Sequence, residues 1–293
     1  MSDSATEVTR TAPGALRCPV CPHACLLREG AATGICGARG LRDGEIVSLN
    51  YGQATALALD PIEKKPLARF HPGTTILSYG SYGCNLRCDF CQNADISTAT
   101  ASLHPALRPI TPAELVAQAC ALKHEGNIGV ALTYNEPLIA PEFLIDTARL
   151  AHASGLLCVA VTNGYVTETT WQRCLEHLDA ANIDLKCFSE SSYRDLGAPD
   201  GLAVVERSIQ RAVSAGVHVE VTTLIVPGLS DDPEAFEREL DWLATIDPEM
   251  PLHLSRFFPC YKRTDCAPTE LSVLRDFERR ACQKLSHVYL GNI

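Results

Sequence analysis

The sequence predicts an α/β fold, an incomplete (β/α)6-type TIM barrel that follows a cysteine-rich extension. From residue 75 onward, six apolar or β-branched runs alternate with amphipathic stretches of helical period, which is typical of parallel βα units. Ahead of them, four cysteines lie close together between residues 18 and 36. We therefore divide the chain into a disordered N-terminus (1–14), a cysteine-rich metal-binding module (15–50), a connecting segment (51–74) and the barrel (75–293).

The strands and helices of the barrel region can be placed in order. The strand-like runs are TTILSYG, IGVALTY, LLCVAVTN, ANIDLK, VHVEVTTLIV and LHLSRFF. The helical stretches between them include TPAELVAQACALKHEG, APEFLIDTARLAHASG, ETTWQRCLEHLD, GLAVVERSIQRAVSAG and DPEAFERELDWLATI. Pro112 opens one helix, and Gly155 and Gly216 follow the ends of two others. Six units fall short of the eight in a closed barrel, so we expect an open one.

Composition narrows the class of protein. The chain of 293 residues is 46% hydrophobic, which is enough for a sizeable core. Its 25 Lys and Arg against 35 Asp and Glu give a net charge of -10, which argues against a nucleic-acid partner. The polar N-terminus has no apolar signal core and no run reaches membrane-spanning length, so we expect a cytoplasmic protein without membrane contact. In a reducing compartment, clustered thiols among the 14 cysteines more often bind metal than form disulfides.

A short segment follows each predicted strand at its C-terminal end, where the active site of a parallel barrel is found, and most of these segments contain polar residues. In strand order they are Cys84–Cys91, Tyr134–Pro137, Thr162–Tyr165, Asp184–Lys186, Val226–Gly228 and Arg256. We expect these groups to share one rim.

The loop after the first strand carries Cys84, Cys88 and Cys91 at a C-x3-C-x2-C spacing. Three thiols are one ligand short of a closed tetrahedral zinc site. Either a fourth ligand comes from elsewhere, or the cysteines hold a [4Fe-4S] cluster with one iron open to substrate, and ligand type alone does not decide. Gly83 allows a tight bend that brings backbone N–H groups toward the sulfurs.

This spacing, with Phe90 before the last cysteine, resembles the signature of the radical S-adenosylmethionine (SAM) superfamily. The segments LDPIEKKPLARFHPG, GCNLRCDFCQN, TYNEP, TNGY, NIDLK and TTLIVPGLSD resemble, in order, the radical SAM enzyme of the AmmeMemoRadiSam system. That subgroup is similar to pyruvate formate-lyase activating enzymes, and the N-terminal CPVCPHACLL also resembles it. The likeness covers residues 18–293 and implies a radical SAM barrel core with a [4Fe-4S] cluster and SAM as cofactors.

The resemblance also implies SAM-binding residues. They are Tyr134, Asn135, Glu136, Asn163, Asp184, Lys186 and Arg256. The first three replace a glycine-rich segment of the superfamily, and the Glu136 carboxylate can still accept a hydrogen bond from an amine. The simpler alternatives are a proline-capped strand end, a tight Asn-Gly turn, a structural Asp–Lys ion pair and a surface arginine.

Two positions depart from the activating enzymes that the chain resembles. Val161 stands where they have an Asp in a cation site beside SAM, and Phe258 stands where they have a His at the end of the sixth strand. A cation site of that type is therefore not expected here.

The remaining cysteines fall into two groups. Cys18, Cys21, Cys25 and Cys36 form a C-x2-C-x3-C-x10-C pattern, which suits zinc or an auxiliary Fe-S cluster. His23 is an alternative ligand there. Cys187, Cys260 and Cys266 lie near the predicted rim, where a radical relay or a further ligand is conceivable.

The resemblance implies a reaction. A one-electron donor such as flavodoxin or ferredoxin reduces the cluster, SAM is cleaved to methionine and a 5′-deoxyadenosyl radical, and that radical abstracts hydrogen from a substrate. A protein partner activated as a glycyl radical is the leading substrate. The alternatives are modification of a small molecule, a nucleic acid or a protein side chain, and, in a different class, a non-catalytic metal-binding interaction protein.

Overall fold

The computed structural model describes residues 10–12, 14–100 and 107–293. Of the N-terminus expected to be disordered, residues 1–9 and 13 lie outside the described residues. The strands are β1 (Arg10–Ala12), β2 (Ala15–Arg17), β3 (Leu26–Arg28), β4 (Arg39–Arg42), β5 (Glu45–Ser48), β6 (Gln53–Ala54), β7 (Ala56–Pro61), β8 (Thr75–Gly80), β9 (Arg108–Pro109), β10 (Asn127–Leu132), β11 (Leu157–Thr162), β12 (Ala180–Asp184), β13 (His218–Ile225), β14 (Leu252–Arg256) and β15 (Val288–Gly291).

The α-helices are α1 (Ala94–Ser97), α2 (Pro112–Ala121), α3 (Pro141–Ala153), α4 (Glu168–Leu175), α5 (Glu190–Asp195), α6 (Gly201–Ser214), α7 (Pro233–Ile246) and α8 (Leu271–Ala281). Short 3₁₀ helices cover Ile62–Lys64, Leu122–Glu125 and Pro137–Ile139. Local sequence sets several of these starts. Thr111 caps α2 through a reciprocal bond pair with Glu114, with Pro112 in the first turn, as a capping box requires.

An eight-stranded sheet in the order β15-β14-β13-β12-β11-β10-β8-β7 forms the barrel. Every neighbouring pair from β8 to β15 is parallel, and β7 is antiparallel to β8. Within the described residues the edge strands β7 and β15 do not pair, which leaves the barrel open. The predicted fold class, an incomplete TIM barrel, is confirmed, with one parallel strand (β15) and one antiparallel strand (β7) beyond the six predicted runs.

Residues 62–70 form a segment that we call the floor. The chain leaves β7 opposite Thr75, the first residue of β8, so the floor enters from the N-terminal side of the parallel strands. Ile62 and Leu67 pack against a small cluster of strand side chains, and the Glu220 carboxylate accepts the backbone N–H groups of residues 68 and 69. The stretch expected to be a connector thus supplies a strand and closes one end of the barrel.

The N-terminal module packs against the opposite rim. It contains the sheet β1-β2-β3 and the hairpin β4-β5. The Thr167 backbone N–H donates to Val20 O (3.0 Å), and Arg39 forms an ion pair with Glu142 on α3 (2.7 Å). No helix in the described ranges has the length and apolar character needed to cross a membrane.

Candidate active site

The loop after β8 carries the three cysteines and bends at Gly83. This glycine has φ +88°, and a Cβ built on it would lie 2.5 Å from the Cys36 carbonyl oxygen of the N-terminal module. The loop is therefore in close contact with the module, and only glycine fits there without displacement. Further along, the Leu86 N–H approaches Cys84 Sγ at 3.4 Å, and the Ser97 hydroxyl lies 3.3 Å from Cys91 Sγ.

Two of the three thiols, those of Cys84 and Cys88, lie in an environment that disfavours their ionised forms. Burial raises the pKa of Cys84 well above its usual value, and negative charge on Glu136 and Cys88 adds to the effect. Burial also raises the pKa of Cys88 to about 11, partly offset by Lys186. Such thiols become thiolates when a cationic centre binds them, because a coordinating metal deprotonates its thiol ligands. The soft donor set fits an iron–sulfur centre.

The side chains are not already gathered around a metal. In the described ranges, no three His, Cys, Asp or Glu side chains surround a single point closely enough to hold a metal ion. A [4Fe-4S] cluster does not need such a point, because each of the three cysteines would bind a different iron.

Glu136 joins the ends of two strands. Its side chain caps the 3₁₀ helix that follows by accepting the Leu138 N–H (2.8 Å). It also accepts the Thr162 hydroxyl (2.7 Å) and the Asn163 N–H (2.8 Å). Burial raises its pKa to about 7, although these three hydrogen bonds lower it. Because the folded carboxyl binds its proton more tightly than a solvated one, its ionisation destabilises the fold as pH rises through about 7 unless a cation compensates.

The neighbours of Glu136 support the cysteine loop. Asn135 Oδ1 accepts the Ser81 N–H (2.9 Å), and its amide donates to the Gly83 carbonyl (3.1 Å). Tyr134 has φ +71°, and its hydroxyl donates to Asp60 (2.5 Å). These side chains connect the segment to the cysteine loop and to the floor.

Asn163 is largely satisfied within the protein. Its amide donates to Asn85 Oδ1 (2.9 Å) and lies 3.7 Å from Cys84 Sγ, while its Oδ1 accepts the Tyr165 N–H (2.9 Å). The Asn85 amide donates in turn to the Tyr165 carbonyl (2.6 Å). Asn163 therefore positions the loop of Cys84 from the adjacent strand.

Asp184 and Lys186 lie on the same side at the end of β12, as the two-residue period of a strand requires. Lys186 Nζ is 2.8 Å from Asp184 Oδ2. Burial alone would lower the pKa of Lys186, but Asp184 and then Cys88 raise it above its usual value. The ammonium therefore stays charged beside the cysteine loop.

Arg256, Val161 and Phe258 differ in their contacts and in whether they line the cavity. The Arg256 Nε–H donates to the Thr269 carbonyl (2.7 Å), and its guanidinium stacks 4.8 Å from the centre of the Phe258 ring. Arg256 does not line the main cavity described below, whereas Val161 does. Phe258 is 41% exposed.

A cavity of about 450 Å³ joins these groups. Cys84, Cys91, Glu136, Asn163 and Asp184 line it from the rim, and Lys64, Lys65 and Pro66 line it from the floor. This size suits a bound organic cofactor or substrate. Sequence reasoning assigned no role to the two floor lysines, although they lie in the segment LDPIEKKPLARFHPG that carried part of the resemblance.

Residues 78–243, more than half of the chain, match the Radical SAM superfamily. This chain belongs to the radical SAM superfamily. Across 280 residues it is 36% identical to the uncharacterised protein MJ0808 of Methanocaldococcus jannaschii, over 95% of this chain and 81% of that protein. It is 29% identical over 161 residues to the pyruvate formate-lyase-activating enzyme of Clostridium pasteurianum, over 52% of this chain and 62% of that enzyme.

A solved radical SAM methyltransferase from Sphaerobacter thermophilus has the same fold. Its TM-score is 0.56 at 16% identity, over 75% of this chain and 67% of that one. The predicted superfamily membership and the similarity to activating enzymes are confirmed. Membership implies a [4Fe-4S] cluster and SAM as the cofactors.

The second cysteine group of this radical SAM protein lies in the N-terminal module. Cys18, Cys21 and Cys36 are buried and Cys25 is half-buried. Burial raises the pKa of Cys21 to about 12. The hydrogen bond with the His23 backbone lowers it, and repulsion from Cys18 raises it further. The four thiols thus interact electrostatically, and none forms a disulfide.

His23 connects this module to the cysteine loop instead of facing solvent. Its Nε2 lies 2.8 Å from the carbonyl of Asn85, the residue after Cys84, and its ring packs edge-on against Tyr165 at 5.3 Å. Because this contact engages Nε2 of His23, the four cysteines remain the predicted ligand set of the module.

The three cysteines considered as relays lie around the loop. Cys260 Sγ donates to the Phe90 carbonyl (3.0 Å), and Cys266 packs against the apolar cluster that contains Phe90. Cys187 is buried, with its Sγ 3.8 Å from the Ser189 carbonyl.

Proposed function

We propose that this radical SAM protein binds its [4Fe-4S] cluster through Cys84, Cys88 and Cys91 and binds SAM in the adjoining cavity. The observation that carries the proposal is the meeting of the cysteine loop, Glu136 and the Asp184–Lys186 pair around one space. A non-catalytic metal-binding scaffold has no need of a buried carboxylate and an ion pair beside its thiols.

When bound and reduced, the cluster supplies the electron that splits SAM into methionine and a 5′-deoxyadenosyl radical, which abstracts hydrogen from the substrate. The protein's residues bind and orient. Glu136 would accept the SAM ammonium, since its carboxylate offers about four acceptor positions and the described contacts use three. Lys186 would pair with the SAM carboxylate. Phe90, buried with Leu196, Val226 and Phe257, would exclude water on the outer side of the loop.

The finer assignment is membership of the AmmeMemoRadiSam group, with a protein partner activated as a glycyl radical and flavodoxin or ferredoxin as the electron donor. Similarity to the pyruvate formate-lyase-activating enzyme supports it. Chemistry on a small molecule is the second candidate, and the cavity that runs down to the floor lysines favours it. The N-terminal cysteines are proposed to bind zinc or an auxiliary Fe-S cluster.

The test is anaerobic cluster reconstitution, reduction and electron paramagnetic resonance with and without SAM. We expect a spin-half signal that SAM changes, and its loss in Cys84→Ala, Cys88→Ala and Cys91→Ala. Cys282→Ala is the matched control, because Cys282 is exposed at the end of α8. A SAM-responsive signal that survives in any of the three loop variants would refute the ligand assignment.

A further inference from the structure

The floor presents a cluster of charged groups to the cavity that SAM binding does not explain. Asp60, at the end of β7, accepts Lys64 Nζ at 2.8 Å, Lys65 Nζ at 2.7 Å and the Tyr134 hydroxyl at 2.5 Å. Lys65 Nζ also lies 4.5 Å from the centre of the Tyr134 ring, a cation–π distance. We call these four residues the floor cluster.

The floor cluster carries one positive charge in excess. In the described ranges, Asp60 is the only acidic side chain within ion-pair distance of either lysine. One carboxylate therefore faces two ammonium groups. The buried Lys65 shares Asp60 with Lys64, whose side chain is 64% exposed, so the single carboxylate compensates only one of the two charges. A second anion beside Lys64 and Lys65 would complete the charge balance.

The other charged groups around the cavity are already engaged. Glu136 is held by neutral donors on β11 and in its own 3₁₀ helix, and Asp184 is paired with Lys186. These two acids lie beside the cysteines, where the amino group of SAM is proposed to bind. The lysines lie across the same cavity, on the floor. The two sides of the cavity therefore differ in sign.

The floor is also firmly anchored. The backbone N–H groups of Ala68 and Arg69 donate to Glu220 at 2.9 and 2.7 Å, and the Asn182 amide donates to the Pro66 carbonyl at 2.8 Å. Such backbone bonds hold the lysines at a fixed place beneath the cavity. A fixed position in the wall of a cavity suits a compact ligand group better than the surface of a folded partner.

We propose that Lys64 and Lys65 form an oxyanion-binding subsite for the substrate, which is a small molecule carrying a carboxylate or a phosphate. The proposal rests on the proposed binding of SAM in this cavity and on the second candidate substrate, a small molecule, which it places between the floor and SAM. Asp60 and Tyr134 are positioning residues. Tyr134 precedes Asn135 and Glu136 in the chain, so its bond to Asp60 fixes the distance between the SAM segment and the oxyanion subsite.

Pyridoxal 5′-phosphate is a direct probe of this subsite. Its aldehyde condenses with a lysine amine, releasing water, and borohydride reduces the imine to a stable secondary amine. The chain has six lysines, so mass spectrometry can assign every label. Lys64 has an accessible side chain. Lys123, whose ammonium donates to the Ser154 carbonyl at the C-terminal end of α3, is the matched reference.

On the reconstituted protein we expect the phosphate-bearing probe to label Lys64 about tenfold more efficiently than pyridoxal does, after normalisation to Lys123, because a neighbouring ammonium holds the phosphate. In Lys65→Met, the preference of Lys64 for the phosphate-bearing probe over pyridoxal should fall to the preference seen at Lys123. Lys123→Met should leave it unchanged at Lys64. Unfolding temperatures of the variants report whether they fold.

A second arm needs no variant. Inorganic phosphate or succinate should protect Lys64 of the wild-type protein and leave Lys123 labelled, and the better protector identifies the oxyanion. Equal protection of both lysines, protection of neither, or no phosphate preference at Lys64 would overturn the proposal. None of these measurements uses SAM cleavage, so a failed subsite and a failed radical SAM assignment give different results.

Discussion

We expect Glu136 to make the binding of SAM dependent on pH. The carboxyl is 2% exposed, and burial raises its pKa to about 7. Only the ionised form is a strong acceptor for the SAM ammonium. Below pH 7, binding must first remove a proton from Glu136, so SAM affinity should rise with pH and level off above the pKa.

The size of the effect follows from that pKa. With a value of about 7, roughly one tenth of the carboxyls are ionised at pH 6 and about nine tenths at pH 8. The dissociation constant of SAM should therefore fall about tenfold between these values, which is about 1.4 kcal/mol. Asp184 and Cys84 both interact electrostatically with Glu136, so cluster content must be equal at each pH.

Equilibrium dialysis of labelled SAM against the reconstituted protein at pH 6, 7 and 8 measures this dependence. Glu136→Gln should bind weakly at every pH and lose the slope. Thr162→Val is the matched control, because it removes a hydrogen bond that lowers the pKa of Glu136 and keeps the carboxyl. Its profile should keep the slope and move to higher pH. A flat wild-type profile, or an unchanged slope in Glu136→Gln, would refute this reasoning.

Three other variants test separate parts of the site. Lys186→Ala should assemble a normal cluster yet bind SAM about tenfold to a hundredfold more weakly, and Lys186→Arg should rescue poorly; normal affinity with a damaged cluster would mean a structural role. Gly83→Ala should lower both unfolding temperature and iron content more than Gly126→Ala does, because both have positive φ but only the first meets a backbone oxygen at 2.5 Å. Cys18→Ala/Cys21→Ala should lose about one metal centre and retain SAM cleavage; a folded variant without cleavage would contradict this.

The sequence was sufficient for the barrel because its signals are local and repeated. Each predicted run became a parallel strand, and Asp184 and groups that follow Gly80, Leu132 and Thr162 line one cavity. Strand period and the shared direction of parallel strands determine which end of a barrel a residue occupies. Edge strands carry weaker signals. β15 has only four residues, and β7 is antiparallel and precedes the βα alternation.

Side-chain direction was the part that periodicity could not provide. Arg256 ends β14 as expected, yet its guanidinium donates to Thr269 and stacks on Phe258. Asn163 follows β11 as expected, yet its amide is used by Asn85. Both outcomes depend on partners that are distant in sequence and compete for the same hydrogen-bonding groups.

The floor lysines line the cavity, yet the periodic pattern of the sequence did not predict them. Lys64 and Lys65 follow an antiparallel edge strand, so the rule about the C-terminal ends of parallel strands does not reach them. Their position depends on the floor folding back inside the barrel, held by Glu220. A glycyl-radical partner would need the cavity to admit a polypeptide loop. Two lysines that share the single carboxylate of Asp60 favour a compact anion instead. The labelling preference at Lys64 therefore bears on the choice between a protein substrate and a small molecule, which the cysteine loop alone does not make.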